Sequence, residues 1–455
     1  MSEGLDVPSV NLKFNTPRKV GFASFVGTTI EWYDFFLYGT AAAIIFGPLF
    51  FPEVSPTMGV IAAFGTYAVG FLARPVGGIV GGHLGDRIGR KSVLVGSLMT
   101  MGFATIAIGL LPTHGQVGML APILLLAMRL IQGLGVGAEW GGAAVMSVEF
   151  APSERRGLYG SFTQMGVSSG MLLAAATFTA TRAVVGHDAF LSWGWRAPFL
   201  FSGVLVFIGL IIRLKLEEPP RFADLQEKNE TLRMPIVEVF RTEQRRAVIL
   251  TTGMRISQNA VYYIFTVFAL VYVADNFGKD SNVGLVAVMV ASGVGLVSVP
   301  LWGLLSDKVG RRPVFLWGAV MSGLFIWPFF LLLDMGSSVM AVAAIVIGMT
   351  LFHDAMYAPQ AAFFSEMFTT KVRFSGASMG YQIGSVLGGG FSPLIATALL
   401  AAGHGNPWLV VIYFVCLSVI TAVCAYLSPE TYRIDLDRPA LDESGEPVEY
   451  AASQA

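Results

Sequence analysis

The sequence predicts an all-α integral membrane protein: twelve spanning helices in two pseudo-symmetric six-helix bundles. Three observations carry that prediction. The 455-residue chain is 54% hydrophobic and 13% charged, whereas about a quarter of the residues of a soluble domain are charged. A charged, glycine-punctuated turn, Gly82-His83-Leu84-Gly85-Asp86-Arg87-Ile88-Gly89-Arg90-Lys91, recurs 221 positions on as Gly303-Leu304-Leu305-Ser306-Asp307-Lys308-Val309-Gly310-Arg311-Arg312. Ser147-Val148-Glu149-Phe150, followed by Arg155-Arg156-Gly157, is paralleled at an offset of 217 by Ser365-Glu366-Met367-Phe368, followed by Lys371, Arg373 and Gly376. Two repeats at nearly one offset, each between long apolar runs, indicate duplicated halves.

Apolar runs of about 20 residues, enough to cross a bilayer, fall at roughly 21–46, 59–82, 92–112, 119–146, 157–180, 195–214, 247–274, 282–304, 314–333, 337–360, 375–401 and 407–427. The organisation that follows is an N-terminal tail (1–20), a first bundle (21–214), a linker (215–246), a second bundle (247–427) and a tail (428–455). Pro219-Pro220 and many charges mark the linker as a solvated connector. The last segment is acidic, has no heptad pattern, and is expected to be disordered. Placing the N-terminal tail and every second loop on one side collects 22 of the 29 Lys and Arg residues there. The positive-inside rule then makes both termini cytoplasmic, in a multi-pass protein of the cell (inner) membrane. No cleavable signal peptide is expected, because the first apolar run is long and follows a polar tail. Fifty-two glycines suit closely packed membrane helices. Cys416 and Cys424 share the last apolar run and are read as packing residues, and a net charge of -1 gives no reason to expect nucleic acid.

The repeated turn resembles the signature loop between the second and third helices of major facilitator superfamily transporters, with its weaker copy between the eighth and ninth. Glu31-Trp32-Tyr33-Asp34-Phe35-Phe36-Leu37-Tyr38-Gly39, Arg74-Pro75-Val76-Gly77-Gly78, Gly137-Ala138-Glu139-Trp140-Gly141-Gly142 and Gly380-Tyr381-Gln382 resemble the metabolite:proton symporter family within it. That resemblance covers about 20–427. It implies a substrate site between the bundles and import, with protons, of small acids such as shikimate, 2-oxoglutarate or citrate, or of proline and betaine. Arg255, His353-Asp354 and Gly388-Gly389-Gly390-Phe391 look most like the shikimate branch.

Ionisable side chains within the spans are the functional candidates, since near the bilayer centre each costs several kcal/mol unless it faces a cavity or a partner. In the first span Glu31, Asp34 and Tyr38 lie within about 60° of one another. The two acids are candidates for proton coupling and Tyr38 for substrate contact; structural struts are the other reading. In the seventh, Arg255, Gln258, Asn259, Tyr262 and Thr266 share an arc of about 100°. Such a polar seam lines water or substrate, and arginine can hold a carboxylate through two parallel hydrogen bonds. Asp34 and Arg255 are 221 residues apart, so the duplication sets an acid and a base at corresponding positions. Arg255 then either binds a substrate carboxylate or neutralises Asp34. In the fourth span Arg129, Gln132 and Glu139 share about 80°, Glu139 being a second proton site or a partner for Arg74. The tenth holds His353, Asp354, Tyr357 and Gln360. A histidine there can titrate near neutral pH, so His353 and Asp354 join the proton-coupling candidates, with a packing role as the alternative. Gln164 and Gln382 are candidates for substrate hydroxyls, and Tyr357 for the cavity wall.

Asp86 and Asp307 are expected to begin the third and ninth helices, where the helix dipole favours a carboxylate. The resemblance implies that these loops, with Arg87, Arg90 and Arg311, gate the cytoplasmic side; Glu149 and Glu366 are expected to join the same latch. Together these features describe a proton-coupled symporter that imports a small organic acid by alternating access. Protonation of Asp34 would free Arg255 for the incoming carboxylate. The proton gradient is the driving force, without a cofactor, and the partners are protons, an anionic small molecule and the bilayer, with the chain a monomer. A proline or betaine symporter is the alternative, and a non-transporting sensor or channel the alternative of another class. Enzymes and ATP-driven pumps are disfavoured, because the sequence lacks a nucleophile elbow, His-Glu-x-x-His, a P-loop and any Cys or His cluster with metal spacing.

Overall fold

The computed structural model describes residues 17–88, 90–137, 139–214, 244–278, 282–368, 372–432 and 434; side chains of 82–91 are not among those described. The side chains of the expected gating residues Asp86, Arg87 and Arg90, most of the linker and the tail beyond 434 therefore lie outside the description.

Among the described residues, eleven helices are long and apolar enough to cross a membrane: α1 (Gly21–Phe50), α2 (Pro56–Gly81), α3 (Ser92–Leu110), α4 (Leu120–Glu149), α6 (Arg196–Leu214), α7 (Arg245–Ala274), α8 (Val283–Val309), α9 (Arg311–Asp334), α10 (Ser338–Glu366), α11 (Ser375–Ala402) and α12 (Trp408–Leu427). The twelfth, α5 (Arg156–Val185), has the length, but it is rich in Gly, Ser, Thr and Ala. Those residues suit a crowded position: α5 packs along α1 of its own half and along α8 of the other. Helix α7 begins at Arg245 and so takes up the end of the expected linker.

Small residues set the closest crossings. A Cβ on Gly77, Gly133 or Gly137 would strike the backbone of the facing helix, so α2 and α4 meet backbone to backbone. Gly157 and Gly303 do the same for α5 and α8 across the interface between the halves. Among the described residues, α1, α7, α10 and α11 each contain one widened, π-helical turn: Ala42–Phe46, Ile264–Phe268, Gly348–His353 and Val386–Gly390. Such turns re-aim side chains and recur at functional sites. In α10 the widened turn ends at His353, and His353 and Asp354, neighbours in sequence, are both buried.

Two expectations are corrected. Asp307 lies near the end of α8 instead of opening α9, and the turn between them falls at Gly310, whose φ of 109° only glycine adopts readily. Asp86 likewise lies within the helix Pro56–Ile88. The tail, expected to be disordered from Ser428, is docked over its first residues. Glu430 accepts from the backbone N–H groups of Arg311 (2.8 Å) and Arg312 (3.0 Å), capping α9, while the Thr431 hydroxyl donates to Glu366 at 2.7 Å. A carboxylate at an open helix N-terminus satisfies amides that have no partner within the helix, which holds the segment in place.

Candidate transport site

Among the described residues, seven charged side chains lie in the interior of the spans, Glu31, Asp34, Glu139 and Asp354 against Arg74, Arg129 and Arg255, and Arg213, near the end of α6, reaches in to join them; each is at most 7% exposed. In the second half, Arg255 Nε donates to Ser385 (3.0 Å), and its Nη1 to Gln360 (2.7 Å) and Gln258. The Gln258 amide meets His353 Nε2 at 2.7 Å, and His353 Nδ1 lies 2.9 Å from Asp354, which also accepts from Ser298. This order fits a neutral imidazole with its proton on Nδ1. The guanidinium of Arg255 stacks over Tyr381 at 3.7 Å. No carboxylate lies within ion-pair distance of it among the described residues.

In the first half, Asp34 accepts from Ser202 of α6 at 2.5 Å and faces the bundle interior. It forms no ion pair with Arg255. Glu139 pairs with Arg213 of α6 instead of Arg74. Arg129 donates to Gln132, which passes a bond to Thr105 at 2.8 Å; the Arg129 guanidinium lies over Phe35, Tyr38 and Tyr67 at 4.3, 4.3 and 4.5 Å. Tyr38 shares a 2.5 Å hydrogen bond with Thr66.

The expected hydroxyl-binding residues bond across the halves. Gln164 Nε2 donates to the Tyr357 carbonyl (3.0 Å), and Gln382 Nε2 to that of Gly137 (3.1 Å), leaving Gln382 Oε1 without a partner among the described residues. Asn259 bonds the Ser385 carbonyl within the second half at 3.2 Å. Trp140 stacks on Tyr381 at 3.5 Å. Nearer the face that carries the termini, Arg373 reaches Glu149 at 3.2 Å, and Asp307 accepts from the backbone N–H groups of Gly157 (2.8 Å) and Leu158 (2.9 Å). An acid from the second half thus caps α5 of the first. Arg311 binds Asp307 at 2.6 Å and Glu366 at 3.2 Å. Toward the opposite face, Phe36 stacks on Tyr262 at 5.1 Å and Arg182 donates to Asn282 at 3.1 Å. Contacts between the halves on both sides of the charged layer make this an occluded arrangement.

Two of the groups gathered here carry little weight in the sequence. Arg74 is named there only within a family-like motif and as a partner for Glu139, whereas Arg213, at a span end, is passed over. A buried arginine within a few residues of a span terminus looks like a topology charge until the chain is folded. Only the tertiary pairing with Glu139 distinguishes Arg213.

The model of the family described as sugar (and other) transporter matches residues 20–233 and again 223–439. The chain is 40% identical to the shikimate transporter of Escherichia coli (strain K12) over 424 residues, covering 93% of this chain and 97% of that protein. With the proline/betaine transporter of the same organism it shares 32% over 424 residues, 91% of this chain and 84% of the relative. Among solved structures, the proton:xylose symporter XylE superposes with a TM-score of 0.72 at 16% identity, covering 93% of this chain and 97% of the other, which speaks to the fold. A family match to each half and alignment to relatives along nearly the whole length agree with the duplicated helical architecture: the chain belongs to the sugar (and other) transporter family and is a membrane transporter, not an enzyme.

Proposed function

We propose that this transporter is a proton-coupled symporter that brings a small organic acid into the cell by alternating access, with Arg255 as the principal group for the substrate carboxylate. The observation that carries the reading is Arg255 itself: fully buried, held by Ser385, Gln258 and Gln360, and without a carboxylate partner among the described residues. An uncompensated guanidinium in a dry interior is costly, and an anion of the right size removes that cost. The charge inventory supports proton coupling. Four acids and four arginines cancel when all are ionised, so a monoanion enters without leaving net charge only if one proton accompanies it. Gln164, Gln382, Tyr357, Tyr381 and Tyr262 supply hydrogen-bonding groups that suit a hydroxylated acid. Shikimate, the substrate named for the 40% identical relative, is therefore the first compound to test. In this reading both termini are cytoplasmic, the protein works as a monomer in the inner membrane, and the Glu149–Arg373 and Asp307–α5 contacts form the cytoplasmic gate.

The test is uptake of labelled shikimate into proteoliposomes with acid outside, competed by 2-oxoglutarate, benzoate, proline and betaine. Accumulation that collapses with a protonophore and is inhibited by acids but not betaine is expected. Arg255→Lys, which keeps the charge but loses the fork, should raise KM by roughly tenfold or more. Accumulation of betaine or proline in place of acids would replace this reading with that of a zwitterion symporter.

A further inference from the structure

Arg74 and Arg129 are the interior arginines that the proposed carboxylate site leaves without a task, and of the two it is Arg74 that acts electrostatically on Arg255. The Arg74 side chain is 1% exposed, yet its Nε and Nη2 have no hydrogen-bond partner. Aromatic rings from α1 and α2 hold it: the guanidinium carbon lies 4.0 Å from the ring centre of Phe35, 4.2 Å from Phe71 and 5.4 Å from Trp32. It is within electrostatic reach of Arg255, Tyr263 and Tyr381 of the other half. Two arginines, one from each half, thus lie near enough to feel each other's charge.

The four interior acids also differ. Glu139 is paired with Arg213, Asp34 is bonded by Ser202, and Asp354 by His353 and Ser298. Glu31 alone has neither an ion pair nor a hydrogen bond among the described residues, although it is 2% exposed. The charged and titratable groups around it are Arg74 from α2, the Glu139-bound Arg213 from α6, Tyr381 from α11 and Asp34 on its own helix.

We propose that Glu31 and Arg74 couple proton to substrate: the proton that enters with the substrate resides on Glu31, and Arg74 so released binds the substrate anion opposite Arg255. This rests on the carboxylate reading above and moves the coupling step from Asp34, which the bundle interior holds, to Glu31. While Glu31 is ionised it balances Arg74. Once it is protonated, Arg74 lacks a counter-charge and attracts the carboxylate. An anion bridging Arg74 and Arg255 joins the two halves, so proton and substrate together stabilise the occluded state. The substrate class follows: an acid with acceptor atoms on two sides, met by a hydroxy acid through carboxylate and hydroxyl oxygens and by a dicarboxylate through its two ends.

The test uses the purified full-length chain in detergent, titrated with shikimate, 2-oxoglutarate and benzoate at about pH 5.5 and about pH 8. Thermal stabilisation reads binding, and proton uptake is followed in weakly buffered solution. The wild type is expected to bind at least one of the two acids with acceptors on two sides more tightly than benzoate, taking up about one proton per molecule. Glu31→Gln should retain binding, lose the proton uptake and bind equally at both pH values. Arg74→Gln should weaken binding by tenfold or more, with Arg74→Lys recovering part of it. Should Arg74→Gln fail to fold, Arg74→Lys carries the test with the same sign. Proton uptake by Glu31→Gln at the wild-type level, or wild-type affinity in the Arg74 variants, overturns the proposal. A wild type that binds none of the three acids but binds betaine overturns the carboxylate reading, and this proposal with it.

Discussion

Gly303 offers the sharpest test of how the two halves are held together. Replacing it with alanine would put a Cβ 2.8 Å from the carbonyl oxygen of Gly157 and 2.9 Å from both Cβ and Oγ of Ser161. Carbon atoms in contact sit about 3.5–4.0 Å apart, so α5 and α8 must separate by roughly 0.6–1 Å. Overpacking of this kind costs about 1–3 kcal/mol. The clash lies between the halves and near the face that carries the termini, so the cost falls only on conformations in which that face is closed. The closed-to-open ratio should therefore drop by about 5- to 150-fold. Spin labels at the exposed positions Ser153 and Lys308, with Cys416 and Cys424 replaced by alanine, should report a longer distance in Gly303→Ala. Labels at Val184 and Val286, on the opposite face, should not lengthen. A lower thermal midpoint with an unchanged Ser153–Lys308 distance would refute the reasoning, because the strain would then be absorbed inside a half.

Two further outcomes follow from named contacts. Asp307→Asn keeps the size of the side chain but removes its charge and one of the two acceptors that cap α5, which should weaken the closed face by about 1–2 kcal/mol and lengthen the Ser153–Lys308 distance. Glu139→Gln leaves Arg213 buried without its counter-charge and should cost about 3–5 kcal/mol of stability. Adding Arg213→Met should return most of that, read as thermal midpoints, whereas simple addition of the two losses would mean that the ion pair is not the unit that matters.

Much of this architecture is legible in the chain because a bilayer makes composition decisive. A run of about 20 apolar residues has few other uses, and a charge inside one needs a reason, so Glu31, Asp34, Arg129, Arg255 and Asp354 stand out before any folding. Helical periodicity also groups Arg255 with Gln258, which the structure joins by a hydrogen bond. Partnerships between helices are another matter. Asp34 and Arg255 correspond by duplication, yet Asp34 turns toward Ser202, since rotation about each helix axis depends on what the neighbours offer. For Glu139 the sequence suggests Arg74 or a proton-site role, and only the packing of α4 against its neighbours brings it to Arg213. Asp307 reads as a helix start because a carboxylate there is favourable. It does cap a helix, but that helix is α5, about 150 residues away in the chain and in the other half.

The polar character of α5 also bears on how the protein is made. Leu, Ile, Phe and Val each favour insertion by a few tenths of a kcal/mol at the centre of a span, and α5 fills much of its length with Gly, Ser, Thr and Ala. On leaving the ribosome it has little hold on the lipid by itself. Helix α1, already synthesised, can shelter one side, but the other side belongs to α8, which emerges about a hundred residues later. Biogenesis of the first half thus stays unfinished until the second arrives. Variants that weaken α8 should then lower the yield of intact protein by exposing α5 during synthesis, even where the finished transporter would tolerate them.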